Sequence, residues 1–207
     1  MKIIDLSMPI YEGMPRFWGN WHSDVKIETT GTYDKNQCLV QKIVMSTHSG
    51  THIDAPRHFF LEGKSIDKIN LKQLITKALV LNLTSVKENQ KIEQNMMENF
   101  NLNNEESLII NTGWYKRWDT GNYYKDFPEF TVDSALYILK FRNIAAIATD
   151  IPFSVDVHRI FLGSGIILIE NIVNLDSITT ETVDLIALPL RIVDGDAAPA
   201  RVIAIER

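Results

Sequence analysis

Short apolar runs separated by polar turns dominate the chain. Val40–Met45, Ala78–Leu83, Ser107–Asn111, Ile144–Thr149, Gly165–Ile169, Leu185–Ile192 and Arg201–Ile205 each have the length and composition of a strand. Helical spacing is scarcer. It is found in the short stretch Lys68–Thr76, in Lys91–Phe100, and in a segment running from a Thr131 cap through Phe141, with Asp133 in its first turn. Strands outnumber helices and do not alternate with them one for one. The pattern therefore predicts a mixed α/β, sheet-rich fold rather than a doubly wound one. No linker or repeat divides residues 1–207, so a single domain is expected. Met8–Trp21, punctuated by Pro9, Gly13, Pro15 and Gly19, reads as a loop. Its aromatics Tyr11, Phe17, Trp18 and Trp21 need something to pack over.

Composition narrows the partners. Lys and Arg number 21 against 26 Asp and Glu, a formal charge of −5. That excludes a nucleic-acid groove or an anionic membrane as the main partner, because both need a basic face. No run approaches the ~20 apolar residues of a membrane span. Met1–Leu6 is too short for a signal peptide and is interrupted by Asp5, so a cytoplasmic protein is expected. The one cysteine, Cys38, can form no intramolecular disulfide. With Gln37 and Leu39 as neighbours it has no activating base, and a packed or half-exposed thiol is expected.

Candidate chemistry is concentrated in one place. Of five histidines, His48, His52 and His58 fall inside eleven residues with Asp54 among them. Ser49-Gly50-Thr51 and Pro56 make a helix there improbable, and Pro56 biases Ala55 toward extended geometry. On an extended segment His52 and Asp54 share one side, with His58 next in that series. A bend at Gly50 would swing His48 toward the same point. Imidazoles and a carboxylate converging in this way make a borderline metal site, of the kind zinc or manganese accept. An imidazole at its edge could carry protons instead. Glu170 ends an apolar strand, where a salt bridge and a bridged cation are equally open. His158 taken alone is a surface histidine, and Asp150 either faces a site or caps a turn.

The segment His48-Ser49-Gly50-Thr51-His52-Ile53-Asp54-Ala55-Pro56-Arg57-His58 matches H-x-G-T-H-x-D-x-P-x-H without a mismatch. The chain thereby resembles the cyclase family of metal-dependent hydrolases, which includes bacterial kynurenine formamidase (arylformamidase) and isatin hydrolase. The likeness runs from Ile4-Asp5-Leu6-Ser7, through Asn111-Thr112-Gly113-Trp114 and Thr149–Asp156, to Gly195–Arg201. It implies a swivelling β/β/α domain, usually assembled as a homodimer or larger. It also implies that His48, His52 and Asp54 bind metal and that His58 is the proton acceptor and donor. His158 and Glu170, twelve residues apart, would complete a centre for one or two divalent ions, with zinc expected and manganese the alternative. Two departures from the family pattern concern the substrate. Arg159 stands where formamidases often carry a second histidine, and Phe17-Trp18-Gly19 replaces aromatic-Pro-Gly.

The expected reaction is hydrolysis of an amide C–N bond in a small aromatic substrate. A cation lowers the pKa of bound water toward ~7. The hydroxide attacks a formyl or amide carbonyl, and His58 returns the proton to the leaving nitrogen. Phe17 and Trp18 are the candidate substrate-binding residues. Arylformamidase-type chemistry, N-formyl-L-kynurenine plus water to L-kynurenine and formate, leads this reading. Opening of a cyclic amide such as isatin and a non-catalytic metal-binding module are the competing ones.

Overall fold

The computed structural model describes residues 1–207. Its strands are β1 (Lys2–Asp5), β2 (Lys26–Gly31), β3 (Val40–Val44), β4 (His52–Asp54), β5 (Ile75–Asn82), β6 (Lys91–Ile92), β7 (Ser107–Asn111), β8 (Glu129–Phe130), β9 (Ala146–Thr149), β10 (Ile167–Glu170), β11 (Thr182–Pro189) and β12 (Ala197–Glu206). The helices are α1 (Tyr33–Asn36), α2 (Val132–Ile138) and α3 (Val155–Gly163). The main sheet has the order β1-β12-β11-β5-β7-β9-β10-β4, and β4 also pairs with β12, which closes all of it but β1 into a barrel. The run β5-β7-β9-β10 is parallel, while β4, β11 and β12 join antiparallel.

Alternation along the strands separates two cores. Ala78, Val80, Ile109, Ala146, Ala148, Ile169, Leu185, Ala187 and Val202 fill the barrel interior, where many small side chains suit a narrow bore. Leu79, Leu81, Leu108, Ile110, Ile147 and Leu168 point outward beneath α2 and α3. The central strands are thus buried on both faces, and for that reason they read as unbroken apolar runs. The two walls of the closed sheet, with helices over one of them, give the β/β/α layering. No helix is long and apolar enough to cross a membrane.

Two expected helices do not form. Within Lys68–Thr76 the Asn70 side chain accepts from the Lys72 amide and fixes a 3-10 turn at Leu71–Gln73. The chain then enters β5 at Ile75, because β11 offers it a ladder. In Lys91–Phe100, Lys91 and Ile92 pair with Glu129 and Phe130, and only Gln94–Met96 turns as a 3-10 helix. Its buried residues Ile92 and Met97 are five apart, which is not helical spacing. Conversely α3 forms where no helix was expected, and β1 and β2 add strands that the apolar runs did not reveal. Met8–Trp21 is irregular, as its Gly/Pro content predicts. Cys38 is exposed before β3 rather than packed or half-exposed, since the β2–β3 hairpin stands off the main sheet.

Two substitutions separate stability from site geometry. A Cβ on Gly63 would stand 2.6 Å from the Pro56 carbonyl carbon and 2.8 Å from the Arg57 amide nitrogen, in the turn that ends in His58. Gly63→Ala is expected to cost about 1–3 kcal/mol by overpacking and to lower turnover as well. Thr131→Ala removes the oxygen that accepts from the Ser134 amide at 3.1 Å. It should cost about 1 kcal/mol and leave turnover unchanged. Thermal melts beside activity assays check both.

Candidate metal centre

Register builds the site. In β4 the alternation sends Ile53 into the barrel and turns His52 and Asp54 outward. Across the ladder His52 lies opposite Glu170 of β10, and on its other side β12 begins at Ala197 opposite Asp54. Gly50 takes φ +62°, the left-handed bend that carries the preceding turn, and His48 with it, over Asp54. The fourth histidine comes from α3, where Val157, His158, Phe161 and Leu162 form the buried face. His158 is accordingly buried and not a surface residue. Helical spacing around it and glycines at 163 and 165 were the signals that place it there.

These residues converge. His48 Nδ1 lies 2.9 Å and His52 Nε2 3.3 Å from Asp54 Oδ1. His158 Nε2 is 3.2 Å from Asp54 Oδ2 and 3.1 Å from Glu170 Oε1. His52 Nε2 is 3.7 Å from Glu170 Oε2. Two backbone carbonyls set the imidazoles. Nδ1 of His52 faces Gly50 O at 2.9 Å, and Nδ1 of His158 faces Ser154 O at 3.0 Å. A proton on each Nδ1 leaves each Nε2 as the nitrogen that meets the carboxylates or, once free of its own proton, a cation. Asp54 Oδ1 is buried and, although His48 comes near, has no hydrogen-bond partner. Imidazole nitrogens and carboxylates around an orphaned oxygen are the donor set that a divalent cation satisfies. Donor atoms within 4.8 Å of one another group in two ways, His48-Asp54-His58 and His52-Asp54-Glu170, and Asp54 belongs to both.

Electrostatics shows the strain that such a cation would relieve. Burial opposes charge on His158, but the Glu170 and Asp54 carboxylates push it up to about 10. His48, also resisted by burial, is pushed up to about 10 by Asp54 and Asp196. Burial alone would raise the Asp54 carboxyl, yet the surrounding imidazoles hold it well below the usual carboxylate range. Asp196 was not among the expected site residues. It precedes β12, and its Oδ2 lies 2.8 Å from His48 Nε2 and 3.4 Å from His58 Nδ1. Its place beside Asp54 follows from a strand pairing that no local motif announces. Asp150 caps a turn: it accepts from the Thr112 amide and hydroxyl and the Tyr115 amide, and burial pushes it up to about 6. Arg159 leaves the cluster and lies over the Phe59 ring at 5.8 Å.

The cluster floors a cavity of about 540 Å³. Phe17, Trp18 and Trp21 of the N-terminal loop wall it together with Phe59, Phe127 and Phe153. Phe17 and Trp18 stack at 5.0 Å with 14° between their planes, and Trp18 Nε1 donates to Tyr124 O at 2.8 Å. His22, which sequence reasoning passed over, joins this wall with its ring 5.8 Å from that of His48. Asn171, at φ 60°, ties the floor to the wall, donating to Gly50 O at 3.0 Å and to Tyr124 Oη at 3.3 Å.

A protonated imidazole cannot coordinate, so His48 and His158 must release their protons when a cation enters. Zinc titration near neutral pH is expected to release on the order of two protons, with apparent affinity tightening as pH rises. Calorimetry in buffers of different ionisation enthalpy measures the number. A heat independent of buffer would remove this account of the site.

Comparison with known proteins agrees with the motif. Residues 4–157 match the model of the cyclase family ("Putative cyclase"). A kynurenine formamidase of Bacillus cereus is 30% identical over 212 residues, covering 97% of this chain and 95% of its own. A solved structure described as a potential metal-dependent hydrolase with cyclase activity superposes with a TM-score of 0.80 at 26% identity, covering 100% of this chain and 98% of that one. Isatin hydrolase A of Labrenzia aggregata, bound to benzyl benzoate, shares the fold at a TM-score of 0.88 and 22% identity, covering 98% and 93%. The chain belongs to the cyclase family and is a metal-dependent hydrolase.

Proposed function

We propose that the protein is an arylformamidase: it hydrolyses the formamide C–N bond of N-formyl-L-kynurenine or a close aryl formamide, releasing formate and the free arylamine. The observation that carries this reading is the junction of the His/Asp/Glu cluster with an aromatic-walled cavity of about 540 Å³. Similarity to a kynurenine formamidase over 97% of the chain supports it.

His48, His52, Asp54, His158 and Glu170 would hold the metal, and zinc suits three imidazoles with two carboxylates. Asp54, common to both donor groups, would be central to that set. When bound, zinc supplies Lewis acidity, acidifying water and polarising a carbonyl oxygen. The remaining work falls to side chains. His58 stands with Nδ1 toward Asp196, so its Nε2 takes the proton from water and delivers it to the departing aryl nitrogen. Phe17 and Trp18 stack on the aryl ring and keep bulk water from it. A homodimer or larger assembly and a cytoplasmic location complete the proposal.

Zinc-reconstituted protein is expected to hydrolyse formyl-kynurenine and formanilides in preference to isatin. The reverse preference would reassign the substrate to cyclic amides. His58→Ala should lower kcat by about 10²–10⁴ while metal content stays unchanged. Full turnover in that variant sinks the acid–base role, and loss of metal in parallel would make His58 a ligand instead.

A further inference from the structure

Phe17, Trp18, Trp21 and His22 all wall the histidine-floored cavity, and all four come from one nine-residue segment, Arg16 to Asp24. The chain leaves the outer core at Met14 and re-enters it at Val25, both of them buried. No helix or strand lies between those two residues, so side chains must set the path. One of them reaches three points along it. Arg16 Nε pairs with Asp24 Oδ1 at 2.5 Å, which closes the segment at its base. From the same guanidinium, Nη1 donates to the carbonyl of Phe17 at 3.4 Å and to that of Gly19 at 3.3 Å. Inside the loop so closed, the His22 amide donates to Gly19 O at 3.3 Å. Gly19 takes φ +126°, and the Trp21 indole packs so closely on it that a Cβ there would stand 2.8 Å from the ring. Neither Arg16 nor Asp24 lines the cavity, and both are exposed.

An exposed ion pair by itself adds little to folding stability. A planar fork that gathers a carboxylate and two carbonyls does something else: it removes conformations from the segment that carries them. Aromatic side chains that must be ordered as a ligand enters weaken its binding, and side chains already ordered do not. Trp18 and Trp21 stand mostly in solvent, so burial supplies little of that order.

We propose that Arg16 is a positioning residue for the aromatic wall. Clasped to Asp24 and to the Phe17 and Gly19 carbonyls, its guanidinium holds Phe17, Trp18 and Trp21 in the arrangement that receives an aryl ring. Arg16 thereby sets how tightly an aryl substrate binds without touching it. The proposal rests on the aryl formamide reading of the cavity. The histidine cluster stands on other elements, so the effect of the clasp falls on KM and not on kcat.

The test is steady-state hydrolysis of formanilide by the zinc-loaded protein, beside quenching of its tryptophan fluorescence by ortho-aminoacetophenone, an arylamine with no amide to cut. Arg16→Met should raise KM and the arylamine Kd about fivefold, with kcat and metal content unchanged. Asp24→Asn should have a smaller effect, and the double variant no more than Arg16→Met alone, because the two residues act as one clasp. Arg16→Lys should recover only part of the affinity, since an ammonium can meet Asp24 but cannot present a fork to both carbonyls as well. Gly19→Ala, which disturbs the same loop from inside by displacing the Trp21 ring, should reproduce the rise in KM. Unchanged KM and Kd in Arg16→Met overturn the proposal, as do additive losses in the double variant. Wild type that hydrolyses formanilide while Arg16→Met matches it in both constants removes the clasp and keeps the formamidase reading. Wild type that binds the arylamine without hydrolysing formanilide removes that reading, and a Kd that still depends on Arg16 keeps the clasp.

Discussion

Asp54 is wholly buried in a three-residue strand paired on both sides, and one of its oxygens has no hydrogen bond. An ionised carboxylate in such a place costs several kcal/mol unless opposite charge lies against it. The surrounding structure is arranged to bring that charge. A left-handed Gly50 turns His48 inward, the seat of α3 fixes His158, and the β4–β10 ladder puts Glu170 opposite His52. Protonated imidazoles can neutralise the cluster, but a cation that replaces those protons also satisfies the orphaned oxygen. The folded chain is thus pre-strained toward metal, and site and fold are stabilised by the same event.

Closure of the sheet makes this arrangement durable. With β12 and β10 both hydrogen-bonded to β4, neither His52 nor Asp54 can shift without breaking two ladders. The barrel interior behind them is filled with Ala, Val and Ile, so the wall cannot collapse inward. Phe17, Trp18 and Trp21, by contrast, come from an irregular segment, and Trp18 and Trp21 are 63% and 77% exposed. The candidate metal-binding residues therefore sit on a doubly paired strand, and the aromatic wall of the cavity comes from an irregular segment.

How much of this was legible in the sequence depends on whether the cause was local. Ser107–Asn111 is recovered to the residue, and Thr131 caps α2 as its hydroxyl allows. The convergence of His48, His52 and Asp54 could be argued from Gly50, Pro56 and two-residue alternation, because those determinants lie within the motif. His158 and Glu170 needed a family resemblance, since helical spacing turns His158 to the buried face of α3 but nothing local says that α3 packs against β10. Asp196 escaped altogether: its approach to His48 is set by the β4–β12 pairing, between segments more than a hundred residues apart. The failed helices tell the same story. Ile75 and Lys91 carry acceptable helical patterns, but partner strands elsewhere in the chain claim their backbones.

Asp196 also clarifies why two kinds of histidine are present. A ligand has to be immobile, and the side chains of His52 and Asp54 are 3% and 1% exposed on a doubly paired strand. A proton carrier, the role proposed for His58, has to touch both the reacting atoms and the solvent, and the His58 side chain is 27% exposed at the end of a short 3-10 turn. The rings of His58 and His48 lie 4.2 Å apart, near enough for two imidazoles to compete for the same proton or the same ion. The carboxylate lying between Nε2 of His48 and Nδ1 of His58 decides that competition. It faces Nδ1 of His58 and Nε2 of His48, so in the proposed roles Nε2 of His58 would be left to act on the substrate and Nδ1 of His48 to face Asp54. On the proposed reading, one side chain outside the motif would thus distinguish two residues inside it, which neither their identity nor their spacing could do.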